Sequence, residues 1–164
     1  MAEDKGTIFN RKKEEPKLAE TKKLDDLVTK SRRILYRTKT VFPFDLFPDE
    51  IIIDENKVDI IVKPFFYTEN VFPVLLKNIH GVTINSSVFF ASLSLEVIGM
   101  ENDPGEIRFL WNNDAYRIKR IITGLTTAIK EGIDLSKVPA EELLTKVEEI
   151  GKSRNGIALN EQGK

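Results

Sequence analysis

The chain has no cysteine, one histidine and one tryptophan in 164 residues. Without thiols there are no disulfides, no thiolate metal sites and no thiol nucleophiles. With His80 as the only imidazole, zinc and copper have almost no ligands to draw on. The lack of disulfide chemistry favours a cytoplasmic setting. Long apolar runs are missing too: nothing approaches the ~20 apolar residues that cross a bilayer. The opening MAEDKGTIFNRKKEEPK has no apolar segment of the kind a secretory signal carries. Phosphate cradles of the G-x-x-x-x-G-K-[ST] or G-x-G-x-x-G type and the nucleophile elbow G-x-S-x-G are also absent, which removes the commonest nucleotide-binding and hydrolase signatures.

What is present is ordinary for one globular domain with extensions: 41% hydrophobic and 31% charged residues, in a chain too short for two independent cores. The net charge of -1 hides an asymmetry. Residues 1–40 hold 12 Lys/Arg against 7 Asp/Glu, net +5, and the remainder holds 13 against 19, net -6. The basic part is suited to an anionic surface and the rest is not.

Residues 1–15 lack periodicity and read as a disordered tail. Residues 16–40 read as a basic N-terminal helix and an extended lead: Leu18, Leu24, Leu27 and Val28 form a rough stripe with Lys22, Lys23, Lys30, Arg32 and Arg33 around it. From Ile34 the pattern turns to alternation, the mark of a strand or extended segment. VFPFDLFPDE follows, and its prolines forbid a central strand. It is expected to lead into the first strand of the domain, with the rings of Phe42, Phe44 and Phe47 over the core or available for apolar contact.

Strand signals then come in quick succession: EIIID, KVDIIVKPFF, NVFPVLLKNI, GVTIN, SVFFASLSLEVIGM and GEIRFLW, bounded by Asn, Gly, Ser, Asp or Pro. Asp54-Glu55-Asn56-Lys57 reads as a compact turn between the first two. In NNDAYRIKRIITGLTTAIKEG the residues Ala115, Ile118, Ile121, Ile122, Leu125, Ala128 and Ile129 fall on one helical stripe, with Gly132 where a helix ends. Pro139 opens a further short helix within 133–151 that buries Leu143, Leu144, Val147 and Ile150 and stops at Gly151. Residues 152–164 read as a disordered tail.

The order of Pro48-Asp49-Glu50, the hairpin, Asn78-Ile79-His80-Gly81-Val82, Ser92-Leu93-Ser94-Leu95-Glu96, Gly105-Glu106-Ile107-Arg108-Phe109 and the helix from Asp114 resembles the bacterial pleckstrin-homology-like (PH-like) domains over residues 41–132. The resemblance implies an α+β, mainly antiparallel fold: a partly open barrel of six or seven strands capped by a C-terminal amphipathic helix. Such domains usually serve as binding or scaffold modules. Related eukaryotic domains hold phosphoinositide head groups with basic residues around the first hairpin turn, and 54–57, taken as that turn, does not supply them.

The expected function is a non-catalytic module that binds a protein partner or self-associates. The alternative is a peripheral protein at the inner face of the membrane, with Lys22, Lys23, Lys30, Arg32 and Arg33 on anionic lipid and Phe42 and Phe44 at the interface. An enzyme reading rests only on carboxylates such as Asp49, Glu50 and Asp114. His80 reads as a loop residue, and Glu101-Asn102-Asp103-Pro104-Gly105-Glu106 as a hairpin turn lacking the spacing of a calcium loop. No cofactor, metal, specific nucleic acid or small-molecule substrate is indicated.

Overall fold

The β-branched and aromatic runs become seven strands: β1 (Ile34–Lys39), β2 (Glu50–Asp54), β3 (Lys57–Phe65), β4 (Thr68–Leu75), β5 (Ile79–Ser86), β6 (Phe90–Val97) and β7 (Ile107–Trp111). Helices α1 (Asn112–Lys130) and α2 (Ala140–Glu161) follow. The structure is a computed structural model that describes residues 33–65, 67–99 and 104–161, with the side chains of α2 described through Arg154. Residues 1–32 lie outside the described residues, and with them the basic helix expected there.

The strands form two antiparallel sheets, β1-β2-β3-β4 and β5-β6-β7. Ile51 and Ile53 of β2 are buried opposite Ile60 and Val58 of β3 while Ile52 and Asp59 between them are half-buried, the pattern of a sheet with one covered face. The turn between them forms as its sequence predicts, Asp54 Oδ1 accepting from the N–H groups of Asn56 and Lys57 at 2.7 Å. In β6 the inward residues are Ala91, Leu93 and Leu95. The stripe of α1, from Ala115 through Ala128, covers this core and touches all three strands of the second sheet. It ends as its glycine predicts, with Gly132 at φ 72° and Ile133 N–H donating to Ala128 O.

Several of these expectations are corrected. The sheets do not close into a barrel: a buried Leu76 anchors a 3-10 turn (Leu76–Asn78) under α1, so the chain leaves the first sheet before starting the second. The first strand precedes residue 41. VFPFDLFP is therefore the connection from β1 to β2 instead of a lead into the domain, and 54–57 is the second turn. His80 lies on β5 and not in a loop.

The last helix is not short. It has 22 residues and runs through Gly151 to Glu161, into the segment read as a tail. Gly151 is interior because α1 and α2 cross there antiparallel and very close. A Cβ on Gly151 would lie 2.1 Å from Arg120 O, and one on Gly124 would lie 2.0 Å from Val147 O. No helix among the described residues is long and apolar enough to cross a membrane.

Candidate interaction site

The β1–β2 connection is tied down from within. Thr40, buried at the end of β1, donates from Oγ1 to Asp45 Oδ2 at 2.6 Å and accepts from Asp49 N–H at 2.8 Å. Asp45 Oδ1 accepts from Phe47 N–H at 3.1 Å, and Thr40 N–H donates to Asp49 O across the base. An aspartate that bonds its own backbone two residues on is a turn device. Here it turns Phe42, Phe44 and Leu46 outward. The Phe42–Pro43 peptide is cis.

Phe44 does not stand alone. Its ring centroid lies 4.8 Å from Phe90 and 6.3 Å from Phe109, and Phe90 lies 5.1 Å from Trp111. These separations belong to rings in contact. The cluster sits on the outer face of the second sheet, because Phe90 alternates with the inward Ala91 and pairs with Trp111. Strict alternation would send Phe109 inward with Ile107. Instead Ala91 pairs with Leu110 and Leu93 with Ile107, so β7 carries an extra residue, and Phe109 takes φ 59°. This bulge keeps Ile107 and Leu110 inside and sets both Arg108 and Phe109 outside. Phe109 O accepts from Val41 N–H at 2.9 Å, so the bulge also anchors the β1–β2 connection.

Val88 and Phe89 extend the apolar area at the β5–β6 turn, where Asn112 Nδ2 donates to Ser87 O and Val88 O. Beside the rings is a cleft of about 240 Å³ that Phe90 and Phe109 line together with Asn85, Ser92, Glu106 and Arg108. The Ser92 hydroxyl, and after it the Arg108 guanidinium, hold the Glu106 carboxyl below the usual range. On its other side the β1–β2 connection contributes Phe47, 5.7 Å from Phe65, to a separate cleft of about 320 Å³ lined also by Lys39, Lys63 and Tyr67.

Of the apolar residues singled out in the sequence, Phe44 is in the cluster, Phe42 is exposed beside it in the chain, and Phe47 belongs to the second cleft. The basic residues Lys22, Lys23, Lys30 and Arg32 lie outside the described residues, and Arg33 stands directly before β1. The three carboxylates have three different sets of partners. Asp49 accepts from Lys63 N–H at 2.8 Å, and burial pushes its carboxyl up. Glu50, 3% exposed, is bonded to Arg37, whose guanidinium holds it below the usual range.

Asp114, in the first turn of α1, accepts from the hydroxyls of Tyr36 (3.0 Å) and Thr38 (3.1 Å). Burial first, and then the Asp114 carboxylate, push the Tyr36 hydroxyl up to about 12. Arg117 lies 4.8 Å over the Tyr36 ring and donates to Glu148 at 2.7 Å. This chain of contacts ties β1 to both helices. Among the described residues no group of three or more His, Asp and Glu side chains could hold a metal ion. A scan of protein-family models finds no match to the chain, nor do searches of curated proteins and of solved structures.

Proposed function

We propose that this protein is a non-catalytic interaction module of PH-like arrangement that binds protein chains, a second copy of itself included, through the surface of Phe44, Phe90, Phe109 and Trp111. The observation that carries the reading is the β7 bulge. A phenylalanine at positive φ costs ~1–2 kcal/mol, and this one places its ring outside the core. Aromatic residues at the centre with Ser92, Glu106 and Arg108 at the edge match the anatomy of a protein interface. The presence of Glu106 and Asp45 near the rings disfavours an anionic surface at this spot.

Trp111, the chain's only tryptophan, lies in the cluster and is 49% exposed, so its emission reports occupancy of the surface. Light scattering over a concentration series, read together with that emission, tests the proposal. The expected result is a rising mass with a blue shift, both lost in Phe44→Ser. A rising mass with unchanged emission puts the interface elsewhere, and a monomer with constant emission removes self-association. A second reading, contact with anionic lipid, is favoured by the net charge of +5 over residues 1–40 and by the exposure of Phe42, Leu46, Val88 and Phe89 in two connections.

A further inference from the structure

A third cleft, of about 120 Å³, lies where β5 meets α1, and its lining includes His80, Gly81, Thr126, Thr127, Lys130 and Arg154. Three cationic or potentially cationic side chains meet here in the part of the chain that carries a net charge of -6. Among the described residues, none of the three is paired with a carboxylate. Glu96, whose carboxylate lies against Gly81, is hydrogen-bonded to Thr83 and does not line the cleft.

Two features of the fold assemble this group. The β5–β6 register skips between Ile79 and Gly81, so His80 is the extra residue of a bulge, a device that re-aims a side chain. Helix α2 continues past Gly151, which brings Arg154 alongside α1, where its Nη1 donates to Thr127 Oγ1 at 3.1 Å. That bond fixes the guanidinium while leaving further N–H donors of its planar fork. The hydroxyls of Thr126 and Thr127 donate to Thr123 O, at 3.1 and 2.7 Å, and each reaches a ligand by rotation about one bond. The negative end of α1 does not oppose an anion with open carbonyls: Thr127 O, Ala128 O and Ile129 O accept from the N–H groups of Glu131, Ile133 and Gly132.

We infer that this cleft binds a phosphate-class oxyanion, either inorganic phosphate or the phosphate of a monoester. Arg154 supplies the fork, Lys130 the flanking charge, His80 a ring N–H donor, and Thr126 and Thr127 the hydroxyl contacts. The volume is that of about four waters, room for one tetrahedral group with the remainder of an ester outside. A guanidinium fork with a lysine beside it favours such a dianion over a halide.

The test is an amide NMR titration of the full chain at constant ionic strength with inorganic phosphate, glycerol phosphate and chloride. It is read at Gly81, Thr126 and Thr127, which line the cleft. Expected are saturable shifts with either phosphate and none with chloride, and affinities about tenfold weaker in Arg154→Gln and in Lys130→Gln, the loss of one charge-assisted hydrogen bond. Co-sedimentation with neutral vesicles, with and without phosphatidic acid, separates the sources. Binding to phosphatidic acid that Arg154→Gln weakens, without shifts from the soluble phosphates, assigns the same site to a lipid headgroup. Equal shifts with chloride, or phosphate shifts unchanged in both variants, overturn the inference.

Discussion

Phe109 and Tyr36 show how single residues divide between function and stability. Replacing Phe109 by glycine relieves a backbone strain of about 1 kcal/mol or more and forfeits ring contacts with Phe44 and Phe90 worth about the same. Phe109 is 38% exposed, so its loss also uncovers apolar surface worth about 1–2 kcal/mol; Phe109→Gly is expected to unfold in urea at lower stability by roughly that amount and to lose concentration-dependent association. Tyr36 makes a claim on pH. Its hydroxyl is held up to about 12 against an ordinary value of 10, so the folded chain keeps a proton that the unfolded chain releases. The stability this contributes is fully present below pH 10 and is lost as pH rises toward 12. Urea midpoints of the parent and Tyr36→Phe are therefore expected to converge over that window. A gap that stays constant would mean that neither burial nor the Asp114 contact holds the proton.

At the scale of elements, the crossing of α1 and α2 decides the role of two glycines. Alanine in a helix interior is favoured over glycine by ~1 kcal/mol, yet a Cβ at 124 or 151 would enter the backbone of the facing helix. Overpacking of that kind costs about 1–3 kcal/mol, because the helices must part and uncover Leu143 and Val147. Gly151→Ala is expected to lower stability by about 1 kcal/mol or more, whereas Ser153→Ala, on the exposed side of the same helix, leaves it unchanged or raises it. Urea denaturation with an unchanged slope checks both. Gly151 also marks a boundary of what the sequence discloses. A glycine after an apolar stripe signals a stop as well as a close approach, and only the partner helix distinguishes the two. The stripe of α1 and the turn at 54–57 were legible because their causes are local. The bulges at His80 and Phe109 were not, since each is a register choice made against a strand distant in sequence. Phe90 and Trp111 joined Phe44 only through that register.

The whole molecule is divided by charge, net +5 before residue 41 and net -6 after it, and the division yields a prediction for the lipid reading. A basic residue near an anionic surface contributes about 1 kcal/mol. Changing Lys22, Lys23, Lys30 and Arg32 to glutamine therefore removes up to ~4 kcal/mol, on the order of a thousandfold in binding when all four are engaged. Co-sedimentation of the full chain with anionic vesicles is expected to vanish in this variant, and to weaken in the parent as added salt shortens the screening length below ~10 Å. Trp111 decides how much more of the protein takes part. If the parent pellets while its tryptophan emission stays constant, the basic segment acts alone and the aromatic surface is left for protein. A blue shift on anionic vesicles means that the rings of the second sheet enter the interface, where indole and phenyl groups are at home. The protein-binding reading would then give way to the lipid one. Pelleting that survives both the four substitutions and high salt would remove the electrostatic contact altogether, leaving apolar insertion by Phe42, Leu46, Val88 and Phe89 as the physical account.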